Sequence, residues 1–474
     1  MAGIVSYGAY IPYYRLNRAE ISRAWRTAKQ SGEKAVANYD EDSITMAVAA
    51  AIDCLNGVDI NTVDGLYFAS TTAPFEEKQS AAFIATVLGL KSEAATMDFS
   101  SSLRSGTNAL RAAVDAVNSG TSENVLVCVS DMRPAYLAGS QEMNFGDGAA
   151  AVLIGKNGVI ADITGSYTRF DEIQDVWRTE KDLFVRSGEE RFIIEEGYNR
   201  VISETVSSAL EKFALLPKDF AKLIIYSPNS RQLMPVVKLL QFETFQIVDN
   251  MSLLVGDTGT AQSLMNLVSA LEEAKTSDRI LLASYGNGCD VFSLRVTAEI
   301  EKIRNKRGVK KHLASKNVID NYGRYLRWRE LVPTQPPARP PIEFRQPTPA
   351  AQWRENEKEL RLRGTKCLEC GTPQYPPQRV CINCGTKDKM ELYSFADKKA
   401  KLFSFSHDYV MQTVDSPVTI TIVDFEGGGR IMCDMTDRNP DDIKVGMPVE
   451  MTFRRLYYVG GIHNYWWKCR PVRC

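Results

Sequence analysis

Through the first 300 residues, apolar runs of four to six residues alternate with stretches whose apolar positions recur every three or four residues, and the alternation is written twice. In the first round the pattern predicts a helix over Ser43 to Cys54, a strand over Gly65 to Ser70, a helix over Lys78 to Leu88 and a strand over Ala94 to Phe99. A helix over Ser105 to Asn118 follows, carrying Leu110, Ala113, Val114 and Val117, then strands over Val125 to Val129 and Gly148 to Ile154. The second round predicts a helix over Tyr198 to Ala214, a strand over Lys222 to Tyr226, a helix near Arg231 to Leu240 and a strand over Phe245 to Val248. It closes with a helix over Gly259 to Ala274 and strands over Ile280 to Ala283 and Asp290 to Val296. Short apolar strands between amphipathic helices imply a mostly parallel sheet covered on both faces. Two such rounds imply two pseudo-symmetric halves, with a site where matching turns meet. The turn after Phe99 is matched by Val255 to Thr260, and Ser70-Thr71-Thr72-Ala73-Pro74 by Tyr226-Ser227-Pro228-Asn229. These turns lie at predicted strand C-termini, where open α/β sheets bind ligands.

Beyond Lys302 the pattern changes. Lys306, Arg307, Lys310 and Lys311 form a basic run, read as a solvated face with phosphate binding as the alternative, and Tyr322, Tyr325, Trp328 and Leu331 mark a further helix. Seven of the 17 residues from Pro333 to Pro349 are proline, the composition of a stiff extended linker. An amphipathic helix with Trp353 and Leu360 is expected next, leading into Cys367-Leu368-Glu369-Cys370 and, ten residues later, Cys381-Ile382-Asn383-Cys384. Two CxxC knuckles at this separation suit a closed tetrahedral thiolate site for a structural zinc ion; a redox dithiol is the alternative. Strands are then expected over Lys401 to Gln412, Pro417 to Phe425, Arg430 to Met435, Pro448 to Arg455 and Asn464 to Pro471, which suggests a small barrel of the OB type. The expected division is 1–332, a linker at 333–349, a helix and zinc ribbon at 350–390, and the barrel at 391–474.

Composition narrows the function classes. The chain has 57 Lys+Arg against 58 Asp+Glu, so bulk charge points to neither a nucleic-acid nor a membrane partner. No apolar run is long enough to span a bilayer, and Met1-Ala2-Gly3-Ile4-Val5 reads as the entry to a strand. Ten scattered cysteines do not make a disulfide scaffold, and a cytoplasmic location is expected. Zinc ribbons and OB folds often bind nucleic acid, but the C-terminal aromatics (Tyr457, Tyr458, Tyr465, Trp466, Trp467) lack a basic excess, which favours an interaction or lid module. The first 311 residues contain no histidine, so chemistry there proceeds without imidazole.

The stretch Asp98-Phe99-Ser100-Ser101-Ser102-Leu103-Arg104-Ser105-Gly106-Thr107 has the form of an active-site turn: a strand, a tight polar turn and a helix N-terminus with unpaired N–H groups. It offers three serines and a leucine where a nucleophile is expected. Residues 1–332 resemble the hydroxymethylglutaryl-CoA synthase branch of the thiolase superfamily. The resemblance rests on Gly3 to Pro12, Arg104-Ser105-Gly106-Thr107, Phe145-Gly146-Asp147-Gly148-Ala149-Ala150-Ala151, Ser284-Tyr285-Gly286-Asn287-Gly288 and Tyr322 to Arg329. Residues 345–474 resemble the zinc-ribbon/OB family that accompanies acyl-CoA-processing thiolase relatives, there normally as a separate chain. The resemblance implies a five-layered αβαβα fold, coenzyme A thioester substrates and a homodimer of the thiolase-like domain, with a further thiolase-type subunit as an additional partner.

Against that family pattern, the nucleophilic cysteine falls on Leu103, the catalytic glutamate on Thr71, the histidine on Tyr226 and the asparagine of the second-half turn on Asp257. Leucine cannot form a thioester. Three readings remain. The first is non-covalent aldol, retro-aldol or Claisen-type chemistry on an acyl-CoA, with Tyr226 and Asp257 as acid/base candidates; aldolases of steroid side-chain degradation look like such relatives. The second is a decatalysed acyl-CoA-binding scaffold supporting an active partner. The third is a displaced nucleophile: Cys289, Ser101 or Ser102. Each residue also has a structural alternative: Tyr226 as a packed aromatic, Asp257 as a helix cap, Cys289 as a small buried side chain.

Overall fold

The computed structural model describes residues 1–228, 230–319, 321–335, 348–411 and 413–473; most of the proline-rich linker (336–347) lies outside them. Two compact units emerge: Met1–Ala37, Asp42–Ala85 and Leu90–Tyr322 make one, and Asn38–Glu41, Thr86–Gly89 and Gly323–Cys474 the other.

The first unit is built on a nine-stranded sheet. Its strands are β1 (Gly3–Tyr10), β2 (Gly65–Ala69), β3 (Ala95–Phe99), β4 (Val125–Asp131), β5 (Gly148–Gly155), β6 (Ala161–Phe170), β7 (Lys222–Ile225), β8 (Arg279–Tyr285) and β9 (Gly288–Val296). They lie in the order β7-β8-β9-β6-β1-β5-β4-β2-β3. The halves join where β1 meets β6, through Gly3 opposite Asp162 and Ile4 opposite Ala161. The expectation of a mostly parallel sheet needs correction. Among the described residues the parallel neighbours are β7/β8, β2/β4 and β2/β3, and the remaining pairs are antiparallel. At β8 the cause is the tight hairpin between Tyr285 and Gly288, which only an antiparallel pair permits; β4 returns to β5 through the longer segment 132–147, which holds a short helix over Ser140–Asn144.

Helices supply the other layers. Helix α1 (Ser43–Leu55) covers β1, β5 and β4 on the outside of the first half. On the inside, α2 (Ser105–Ser119) packs on β2, β4 and β5 and meets α4 (Gln262–Glu273), which packs on β7 and β8. Helix α3 (Arg200–Phe213) covers β9, β6 and β8 on the far side. Helix, sheet, paired central helices, sheet and helix are the five layers expected. One large core runs through the centre, from Ile4 and Val127 through Leu110 and Leu264 to Leu282 and Phe292. A second core, with Val201, Val206, Ile225, Leu281 and Val291, lies beneath α3.

The duplication is spatial, with one shortfall. Where the first half has β3, the second has a 3₁₀ turn, Thr244–Gln246, and a single parallel bridge between Leu223 and Ile247. Gln246 turns its side chain onto the Phe220 and Pro217 carbonyls, and Phe245 points to solvent, so the expected strand at 245–248 does not form. The basic run is engaged within this unit. Lys306 reaches Ser6 and the Cys54 carbonyl, Arg307 pairs with Asp53, Lys310 with Glu273, and Lys311 donates to the Asn305 carbonyl.

In the second unit, Thr348 caps a helix over Pro349–Glu359. No side chain of that helix is buried, and Trp353 is 74% exposed, so the amphipathic expectation fails. A ribbon of three short strands follows, Arg363–Cys367, Pro373–Gln374 and Met390–Ser394. A closed five-stranded barrel completes the unit, from Ala400–Asp408, Val418–Phe425, Arg430–Met435, Pro448–Val459 and Ile462–Pro471. Its interior holds Leu402, Val423, Ile431, Phe453 and Trp467, at alternate positions of each strand as a small barrel requires. Among the described residues no helix is long and apolar enough to cross a membrane.

Candidate functional site

The turn between β3 and α2 is set by short hydrogen bonds. Ser101 takes a left-handed conformation (φ 70°), and Ser105 Oγ donates to the carbonyls of Ser100 (2.8 Å) and Ser102 (2.7 Å). Ser102 Oγ donates to the Gly286 carbonyl at 3.0 Å, tying the turn to the β8–β9 hairpin. Residue 286 must be glycine: its φ is +157°, and a Cβ there would lie 2.9 Å from Arg104 N and 3.1 Å from Leu103 Cβ. Arg104 reaches the buried Asp290 (3.2 Å), which also accepts from Thr107 Oγ1 (2.7 Å). Leu103, half-buried, leans on the core beneath α3 and lines a cavity of about 200 Å³.

That cavity is where the second half contributes its charge. Tyr226 continues from β7 and Asp257 lies just before α4, and the two side chains meet there. Tyr226 Oη donates to Asp257 at 3.1 Å and 3.2 Å to the two carboxylate oxygens. Asp257 also receives Arg133 Nη1 at 3.3 Å and the Gly259 N–H at 2.9 Å. The Arg133 guanidinium rests on the Phe145 ring, 3.7 Å from its centroid, and Tyr198 Oη holds the Tyr226 carbonyl at 2.8 Å. Burial, reinforced by the Asp257 charge, pushes the Tyr226 hydroxyl well above its ordinary pKa. Burial works against the Arg133 charge, but Asp257, Tyr226 and Asp131 hold its pKa up. Tyr226 is therefore a neutral proton donor resting on an arginine-paired carboxylate.

The other sequence candidates fall elsewhere. The Thr71 N–H and hydroxyl both donate to Asp131 (2.7 Å and 3.0 Å), and Thr71 does not line the cavity. Ser102 is committed to Gly286 and is likewise absent from the lining. Cys289 is fully buried in β9, and burial pushes its thiol far up, away from the thiolate a nucleophile needs. The sequence reading missed Arg133, Asp175, Tyr198 and Tyr285, all on the cavity wall. Arg133 stands two residues beyond a strand C-terminus, which was its available signal. Tyr285 sits inside a quoted glycine-rich motif. Asp175 had none, because it precedes a two-residue strand in an aperiodic segment.

In the second unit the four cysteines converge as the spacing requires. The sulfurs of Cys367, Cys370, Cys381 and Cys384 all lie within 4.8 Å of one another. The two knuckles repeat the same bonds. Cys367 N donates to the Thr372 carbonyl (3.0 Å) and Cys381 N to Thr386 (2.9 Å); Gly371 N returns to the Cys367 carbonyl (2.9 Å) and Gly385 N to Cys381 (3.0 Å). Gly371 and Gly385 both take positive φ, 72° and 73°, where glycine is favoured. Four convergent thiols are a donor set suited to zinc.

A five-layered body with two diverged turns facing one cavity defines a thiolase-superfamily protein. Residues 97–169 match the family model for 3-oxoacyl-[acyl-carrier-protein] synthase III, 354–390 that for the ChsH2 rubredoxin-like zinc ribbon domain, and 393–454 that for the ChsH2 C-terminal OB-fold domain. The hydroxymethylglutaryl-CoA synthase of Methanosarcina mazei is 32% identical over 344 residues, covering 70% of this chain and 98% of that protein. The Aeropyrum pernix hydroxymethylglutaryl-CoA synthase is 33% identical over 340 residues, covering 69% and 94%. The chain belongs to the hydroxymethylglutaryl-CoA synthase family, here fused to ChsH2-type zinc-ribbon and OB-fold domains. The fold agrees with a crystal structure of HMG-CoA synthase complexed with CoA (TM-score 0.63, 19% identity, 68% of this chain and 89% of that one). It also agrees with 3-oxoacyl-[acyl-carrier-protein] synthase III from Aquifex aeolicus VF5 (TM-score 0.57, 22% identity, 62% and 100%).

Proposed function

We propose that this protein makes or cleaves a carbon–carbon bond next to the carbonyl of a short acyl-CoA, by aldol or retro-aldol chemistry without an acyl-enzyme. The observation that carries the reading is Tyr226 hydrogen-bonded to the Arg133-paired Asp257 in a cavity whose other turn presents Leu103. In the cleavage direction the β-hydroxyl of a β-hydroxyacyl-CoA passes its proton to Tyr226 as Tyr226 passes its own to Asp257. The freed oxygen pair becomes a carbonyl, and the pair of the breaking Cα–Cβ bond stays on Cα as a thioester enolate. In condensation Tyr226 returns the proton to the new alkoxide, a role suited to a hydroxyl with a raised pKa. A cavity of about 200 Å³ fits a short acyl chain, since roughly 150 Å³ already holds a benzene-sized guest.

The test is an assay of short β-hydroxyacyl-CoA esters for aldehyde or ketone release, and of the reverse condensation, combined with intact-mass measurement after incubation with acetyl-CoA or acetoacetyl-CoA. Turnover with no mass adduct is the expected result. A stable acyl adduct on Ser101, Ser102 or Cys289 overturns the non-covalent mechanism. Turnover only in the presence of a second thiolase-type subunit favours the scaffold reading.

Cys367, Cys370, Cys381 and Cys384 would hold a structural zinc ion that fixes the ribbon and takes no part in the reaction. About one zinc per chain is expected by metal analysis, and Cys381→Ser should release it. The reading includes a homodimer of the thiolase-like body: among the described residues β3 has a neighbour on one side only and leaves Ala95, Met97 and Asp98 exposed. Light scattering of the purified chain checks that mass.

A further inference from the structure

The dyad accounts for the proton on the β-oxygen and leaves the proton on Cα without a carrier. A second tyrosine–aspartate set lines the same cavity. Asp175, 4% exposed, precedes the short strand Val176–Trp177, which pairs with Arg186–Ser187. Its Oδ1 accepts the Val176 N–H at 2.6 Å, and its carbonyl accepts the Gly188 N–H at 2.9 Å, so the backbone fixes it from both sides. Tyr285, also 4% exposed, ends β8 against the Tyr198 ring, and burial, reinforced by the Asp175 charge, pushes its hydroxyl well above its ordinary pKa. That hydroxyl is sealed from solvent and, among the described residues, makes no hydrogen bond of normal geometry. Catalytic hydrogen bonds are often this loose before substrate arrives. Gly197, in a π-helical turn over Ile193–Asn199, makes room for it: a Cβ there would stand 2.8 Å from Tyr285 Oη.

Resting on the acyl-CoA reading above, we propose that Asp175 is a second catalytic carboxyl, which exchanges the α-proton of the thioester while Tyr285 positions it. In cleavage the protonated Asp175 gives its proton to Cα of the enolate, releasing the shortened acyl-CoA. In condensation the ionised Asp175 takes the α-proton, and the C–H electron pair becomes the enolate. Each cleavage moves one proton from the substrate hydroxyl to Asp257 and one from Asp175 to the product, and exchange with water at the cavity mouth resets both. No oxidant or cofactor enters. Burial raises the Asp175 pKa, while the Val176 N–H, Tyr285 and Arg133 oppose it, which brings the carboxyl closer to neutrality than an exposed aspartate.

The discriminating experiment is α-deuterium incorporation into acetyl-, propionyl- and butyryl-CoA in D₂O, read by NMR with no carbonyl acceptor present. The wild type should exchange. Asp175→Asn should exchange at least a hundredfold more slowly, Asp175→Glu should recover part of that loss, and Tyr285→Phe should slow exchange less than Asp175→Asn. Calorimetric binding of the same esters and an unchanged melting temperature show that the variants fold. Tyr226→Phe should lose cleavage while keeping exchange. Wild-type exchange in a folded, ester-binding Asp175→Asn overturns the role of Asp175 and leaves the carbon–carbon reading standing. No wild-type exchange and no turnover with any ester overturns both.

Discussion

The two matched turns of the body, Ser100 to Arg104 before α2 and Val255 to Thr260 before α4, start from the same local plan and end with opposite characters. Each sits at a helix N-terminus and faces the same cavity, although only the first follows a formed strand. The first keeps its polar atoms for itself: Ser102 and Ser105 bond to backbone, and Leu103 offers the cavity only an apolar wall. The second delivers a carboxylate, which gathers a tyrosine, an arginine and a backbone N–H. Pseudo-symmetry thus fixes where chemistry can sit and leaves open which half supplies it. Here the reactive groups have gathered in the second half.

Attacking the second turn should have the larger effects. Asp257→Asn leaves Arg133 with a buried charge that has lost its nearest counter-charge, and should cost about 3–5 kcal/mol in denaturant-unfolding free energy. A loss below about 1 kcal/mol would show that Asp131 alone compensates Arg133. Tyr226→Phe removes one oxygen and should lower carbon–carbon turnover on the order of a hundredfold or more, with fold and ester binding retained. Near-wild-type turnover would make Tyr226 a packed aromatic.

Changes at the first turn should register as stability rather than chemistry. Gly286→Ala forces a Cβ against the turn at a φ that alanine avoids, and should cost roughly 1–3 kcal/mol in a thermal melt. Leu103→Ala should cost roughly 1–2 kcal/mol, less than a fully buried leucine, and change turnover far less than Tyr226→Phe. Alkali should also tell the turns apart. The unfolded chain ionises its tyrosines near pH 10 while folded Tyr226 stays protonated. The unfolded state then binds fewer protons, so the stability this group contributes is whole below pH 10 and drains away above it. Melts between pH 9 and 11 should fall less steeply for Tyr226→Phe than for wild type; equal slopes would remove Tyr226 from that linkage.

How far the sequence was legible follows from the kind of signal each feature leaves. The apolar runs at Gly65 to Ala69 and Arg279 to Tyr285 announce strands, and the repeat announces two halves and their facing turns, so the sequence pattern alone pairs Tyr226 with Asp257. Strand direction leaves no mark in the apolar pattern: the tight return after Tyr285 and the longer one after Asp131 both reverse the sheet without altering it. Phe245 reads as part of a strand and Trp353 as the apolar side of an amphipathic helix, yet both stand in solvent. Thr71 and Ser102 were placed at the right turns, but backbone partners and Asp131 claim their hydroxyls. Asp175 was illegible because the segment that carries it has no period, and because the π-helical turn that makes room for Tyr285 leaves no mark in side-chain order.

Arg133 also carries a consequence for descent. Its guanidinium lies between the Phe145 ring and the Asp257 carboxylate, both buried, so replacing either charge alone takes from the other the ion-pair partner that offsets its burial. Leaving this arrangement takes two changes far apart in the chain, and each single-step intermediate should be less stable than either end point. Such a pair acts as a ratchet, because stability rather than activity opposes its stepwise loss. Relatives that keep arginine at the position of Arg133 should keep an acid at that of Asp257, and those that lose one should have lost both.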